Sequence, residues 1–138
     1  MGINSISLNG KRDQPEVKQL IASLIEKYAD KKLIVGRDKN DYIKGIRQKL
    51  LAFESFLDSN PEWIGKAVLI QVTLPTTERN DSCSQTQVSD LIGRINSRFG
   101  NIEYQPVVYL HQDLEFAHYL ALLTVNFRLC LLCHNLPC

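Results

Sequence analysis

Two short stretches carry residue types that could do chemistry. The first is Arg37-Asp38-Lys39-Asn40-Asp41-Tyr42-Ile43-Lys44-Gly45. If a strand precedes it and a helix follows, Lys39 lies in the connecting loop and Lys44 in the first helical turn. Both ammonium groups could then converge on one diphosphate. The helix N-terminus would add unpaired N–H groups and a partial positive charge. A plainer reading fits the same residues: a solvated basic loop whose lysines pair with Asp38 and Asp41. The second stretch is Cys130-Leu131-Leu132-Cys133-His134, with Cys138 close behind. Its spacing is that of covalent haem attachment, and the four side chains also reach the ligand count of a zinc site. Haem would need an axial partner and a pocket, and the zinc ligands are crowded together. An incidental apolar tail with free thiols is the strongest reading of the pattern. No metal, cofactor or catalytic residue is assigned.

The elements that must position these residues follow from periodicity. Val17, Leu20, Ile21, Leu24, Ile25 and Tyr28 recur at helical spacing, and Asp13 with Glu16 reads as a capping box ahead of them. Leu33-Ile34-Val35 is a short strand, followed by a turn from Gly36 to Asn40. Ile43, Ile46, Leu50, Leu51, Phe53 and Leu57 mark a second helix, stopped at Asn60-Pro61. Ala67 to Leu74 is a second strand, nearly unbroken in its apolar character. Val88, Leu91, Ile92, Ile95 and Phe99 give a third helix, ended by Gly100. Pro106 to Leu110 is a third strand, Leu114 to Leu123 a fourth helix, and Phe127 to Leu132 a fourth strand. Alternating helices and buried-type strands predict right-handed βαβ units on a parallel sheet, an α/β fold. Such sheets bind ligands beyond the carboxyl ends of their strands, which points to the loop after Val35.

Totals narrow the function classes. With 138 residues there is room for one core, since domains commonly run to about 100–150 residues. A hydrophobic share of 44% excludes disorder, and a net charge of +1 gives no case for nucleic acid or an anionic membrane. No signal peptide or bilayer-length apolar run is visible, so the cytosol is the expected compartment. Among single residues, Trp63 suits packing or sugar stacking, and His111 suits a capping role or ligand contact at a strand end. His118 suits a helix surface, and Arg94 and Asn96 suit backbone or loop contacts.

Several multi-residue words resemble the trehalose-6-phosphate synthase family, in order and at matching spacing. They are Leu33-Ile34-Val35-Gly36-Arg37-Asp38, Asp41-Tyr42-Ile43-Lys44-Gly45-Ile46, Gln48-Lys49-Leu50, Pro61-Glu62-Trp63, Leu69-Ile70-Gln71-Val72 and Leu91-Ile92-Gly93-Arg94-Ile95-Asn96. The resemblance implies an α/β fold with a partial doubly wound, Rossmann-like parallel sheet, the donor-binding, C-terminal half of a two-domain GT-B glycosyltransferase. Such enzymes transfer glucose from UDP-glucose to glucose 6-phosphate with retention. It also implies a donor-diphosphate site at Lys39 and Lys44, supported by Arg37, Asp41 and Gly45. Lys44 matches the family lysine. Lys39 stands where the family has arginine, and Asn40 where it has leucine. These departures resemble the synthase-like modules of fungal trehalose-phosphatase or regulatory subunits. UDP or UDP-glucose and other trehalose-pathway subunits are the implied partners.

The family's Arg-Asp-Gly-Met-Asn-Leu stretch does not occur in this sequence, nor does its acceptor-binding domain. A lone diphosphate loop predicts negligible turnover, because transition-state stabilisation needs several preorganised groups together. The resemblance is expected to hold over residues 1–124. Residues 125–138 read as an atypical tail from a truncated gene model or retained intron.

Overall fold

The computed structural model describes residues 10–39, 45–74 and 82–132. Its elements are α1 (Pro15–Lys27), β1 (Lys32–Lys39), α2 (Ile46–Ser59), a 3-10 turn (Pro61–Trp63), β2 (Ala67–Leu74), α3 (Ser82–Phe99), β3 (Val107–Leu110) and α4 (Phe116–Leu132). The alternation yields the predicted α/β class, with a three-stranded parallel sheet in the order β1-β2-β3. β2 and β3 run parallel, from Leu69 opposite Val107 to Val72 opposite Leu110. Parallel neighbours need a crossover between them, and α3 supplies the one from β2 to β3.

The chain divides into two compact units, Met1–Leu33 with Leu114–Cys138, and Ile34–Asp113. In the first, α1 and α4 pack together, with Val17 and Ile21 on α1 and Ala121, Leu122 and Val125 on α4 buried. Pro15 opens α1, where a missing N–H costs nothing. That placement prevents the predicted capping box. Gln14 becomes the N-cap and Glu16 the second helical residue, one position short of reaching back. Asp13 instead lies 3.7 Å from the Lys18 ammonium. The fourth strand predicted at Phe127–Leu132 is also absent, because α4 continues through those residues. Neither glycine nor proline interrupts Phe116–Leu132, and the Thr124 hydroxyl donates to the Leu120 carbonyl at 2.8 Å within the helix.

In the second unit, α2 and α3 cover one face of β2 and β3. Ile46, Leu50, Phe53 and Leu57 from α2 and Val88, Leu91, Ile92 and Ile95 from α3 form one cluster with Leu69 and Val107. Leu57 and Ile95 are wholly buried, worth about 1.5–3 kcal/mol each by area. Trp63 packs against this cluster beside Phe56, with ring centroids 6.1 Å apart. Asn96 clamps the start of β3, donating to the Val107 carbonyl and accepting from its N–H, both at 2.9 Å. Tyr104 closes the amino end of the sheet, its hydroxyl donating to the Ala67 carbonyl. Among the described residues, no helix is long and apolar enough to cross a membrane.

Candidate functional site

The carboxyl end of the sheet is built differently from the prediction. β1 does not turn at Gly36 but runs on to Lys39, and α2 begins at Ile46 rather than near Ile43. Lys39 therefore closes the strand instead of lying in a loop, and the helix expected to include Lys44 starts at Ile46. A parallel strand is held by pairing to its neighbour, so polar residues continue it where a pattern of apolar side chains ends. Gly45 is the α2 N-cap, with φ of 70°, a left-handed conformation that favours glycine. Its carbonyl accepts the Lys49 N–H at 3.0 Å, and among the described residues no side chain caps the helix. The first-turn N–H groups point out of the helix end, which suits an anion.

Of the five residues singled out from the sequence, Arg37 and Gly45 have described surroundings. Arg37 lies in β1, and its Nη2 donates to Asp113 Oδ1 at 3.4 Å, beyond the end of β3. Lys44 and Asp41 lie outside the described residues, as does the side chain of Lys39. The tail residues Cys133, His134 and Cys138 lie outside them as well. Among the described residues, no group of three or more His, Cys, Asp or Glu is arranged to hold a metal.

A polar row crosses the same end of the sheet. On β1, Asp38 Oδ2 accepts from Lys49 Nζ of α2 at 2.6 Å and from Gln71 Nε2 of β2 at 2.9 Å. Gln71, 1% exposed, stands opposite Tyr109 in the β2–β3 register. The Tyr109 hydroxyl is 3.4 Å from His111 Nδ1, and Gln85 Nε2 of α3 is 3.2 Å from that nitrogen. Both contacts converge on the same ring nitrogen. His111 is thus a held ring at a strand end, not a loose surface group. Thr73, two residues past Gln71, is also fully buried, and its Oγ1 has no partner among the described residues.

Sequence reasoning assigned Asp38 only a pairing role within its own loop. Its lysine partner sits on α2, eleven positions on. Gln71 carried a readable signal, a polar side chain inside an otherwise apolar strand. Arg94 binds Glu54 of α2 through both carboxylate oxygens, at 3.0 and 2.5 Å, away from the sheet edge. Asn96 makes the backbone contacts expected of it.

The glycosyltransferase family 20 model matches residues 1–131. The chain belongs to glycosyltransferase family 20. The UDP-forming α,α-trehalose-phosphate synthase of Candida albicans is 48% identical over 113 residues, covering 80% of this chain and 23% of the relative. The N-terminal domain of Candida albicans trehalose-6-phosphate phosphatase superposes with a TM-score of 0.82 at 39% identity, over 91% of this chain and 27% of that one. A Burkholderia xenovorans UDP-forming synthase, solved in complex with glucose 6-phosphate, gives a TM-score of 0.77 at 25% identity, over 93% and 28%. This family 20 chain spans about a quarter of the length of the relatives it matches.

Proposed function

We propose that residues 1–124 are part of the donor-binding half of a UDP-glucose-dependent trehalose-6-phosphate synthase, and that this chain alone does not catalyse transfer. The observation that carries the reading is the carboxyl end of β1. There Lys39 ends the strand, Gly45 opens a helix without contributing a capping side chain, and the intervening sequence contains the family lysine, Lys44. An α/β sheet collects its ligand at this edge. Lys39 and Lys44 would hold the donor diphosphate, and their charge would favour the departing UDP. Arg37, Asp41 and Gly45 would support that loop. Transfer to glucose 6-phosphate would need groups from the rest of a full-length relative. A cytosolic setting and assembly with other trehalose-pathway subunits belong to the same proposal.

A second reading has its own support. Lys39 and Asn40 replace the family's arginine and leucine, and the phosphatase N-terminal domain superposes closely. A lysine keeps the charge but loses the planar fork that grips two phosphate oxygens. On this reading the parent protein is a non-catalytic, synthase-like module within a trehalose synthase/phosphatase assembly.

Titration calorimetry of the purified chain with UDP and UDP-glucose tests the first reading. Binding is expected, and Lys44→Ala should weaken it by about tenfold or more, as removal of a charge-assisted phosphate contact does. A folded chain that binds neither nucleotide would favour the non-catalytic module.

A further inference from the structure

Asp38 is held at this edge by an arrangement that leaves a neighbour unsatisfied. Gln71 Nε2 donates to Asp38 Oδ2 at 2.9 Å and to the Val72 carbonyl at 3.3 Å. Its Oε1 is buried and has no hydrogen-bond partner among the described residues. Gly36 makes room for that oxygen, since a Cβ there would sit 2.5 Å from it. A buried amide oxygen without a donor is destabilising. Turning the amide over would aim that oxygen at the Asp38 carboxylate, which is worse. The orphaned oxygen is therefore the consequence of giving Asp38 an N–H donor.

The carboxylate, with its side chain 17% exposed, binds Lys49 Nζ at 2.6 Å, whereas the Lys49 side chain is 48% exposed. One ammonium hydrogen meets Asp38, and the other two remain to meet solvent or a ligand. An unrestrained lysine on an exposed helix face would sample many rotamers. This one is fixed against the carboxyl end of β1, at the head of the helix whose N-cap is Gly45. The lost guanidinium fork at position 39 makes additional N–H donors valuable at that place.

We propose that Lys49 is a further phosphate-binding cation of this edge, and that Asp38 is the positioning residue that holds it there. The proposal rests on the donor-site reading and takes the diphosphate of a nucleoside diphosphate as its ligand.

The test measures binding of UDP, pyrophosphate and uridine to the full chain and to Lys49→Met, Lys49→Arg, Asp38→Asn and Lys44→Ala, with a melting temperature for each. Lys49→Met should weaken UDP and pyrophosphate by about tenfold, as loss of one charge-assisted contact does, and leave uridine unchanged. Lys49→Arg should retain binding. Asp38→Asn, which keeps the shape and an acceptor for Gln71, should also weaken UDP. Combining it with Lys49→Met should cost nothing more than Lys49→Met alone. Unchanged UDP affinity in Lys49→Met overturns the proposal, whatever happens to the melting temperature. If Lys44→Ala abolishes binding and Lys49→Met does not, the donor reading survives without it. If Lys49→Met abolishes binding and Lys44→Ala does not, Lys49 stands and the predicted lysine falls. A folded wild-type chain that binds neither UDP nor pyrophosphate overturns both.

Discussion

Both ends of the Asn96 amide meet the same residue on the next strand, so one side chain fixes where β3 begins. Asn96→Ala removes a donor and an acceptor and leaves the backbone N–H and C=O of buried Val107 without them. The expected loss is about 2 kcal/mol, read as a shifted urea midpoint with an unchanged slope. Tyr104 makes a different prediction. Its burial raises the phenol above its ordinary value of 10.0, against an opposing hydrogen bond to the Gly65 backbone. The folded state then holds the proton more tightly than the unfolded chain. The resulting stability is complete below pH 10.0 and is lost as pH rises through the elevated folded value. Stability measured across that alkaline window should fall more steeply in the wild type than in Tyr104→Phe. Equal slopes would mean that the phenol does not carry the effect. Asn96 was legible in the sequence as a backbone binder. The Asp38–Gln71 contact was not, because it joins residues on neighbouring strands whose register only the folded sheet defines.

Elements with strong periodicity were read well, and those defined by pairing or by a missing breaker were not. α2 and α3 follow from their apolar stripes, and β2 from its unbroken run. β1 outlasts its apolar residues by four positions because the ladder, not the side chains, sustains it. α4 passes through a short apolar run rich in leucine, whose period alone does not separate strand from helix but whose helix propensity favours the latter. The packing of α2 on α3 gives a prediction at this scale. Two rungs of charge join the helices, Glu54 to Arg94 and Asp58 to Arg98, each at 2.5 Å and each step four residues along its helix. Arg94 and Arg98 are each about half exposed, and Glu54, though 12% exposed, keeps Arg98 3.8 Å away when Arg94 is removed. Arg94→Ala should cost no more than about 1 kcal/mol, and about 1 M salt should erase most of that. Leu57→Ala, in the layer beneath, should cost about 3 kcal/mol and be indifferent to salt. A salt-sensitive ladder worth more than the leucine would reverse this ranking of the forces between the helices.

At the scale of the whole molecule, one sheet edge proposed to bind a diphosphate is still far from a transferase. Purified alone, this chain should release no UDP from UDP-glucose and glucose 6-phosphate above the uncatalysed background. The informative experiment returns it to a complete enzyme. The 113-residue matching segment of the Candida albicans synthase is replaced by the corresponding residues of this chain, and trehalose 6-phosphate formation is followed. Every group outside the segment is then native to an active protein, so the replaced part alone limits the rate. The donor reading predicts slow but measurable turnover. Lys39→Arg in the chimera should raise it about tenfold by restoring the bidentate grip on the diphosphate. Turnover that ignores Lys39→Arg would mean that a point charge suffices at that position. A folded chimera that stays silent with either residue, while still binding UDP, would place the defect after donor binding. That outcome is what a lineage retained for assembly rather than catalysis would produce.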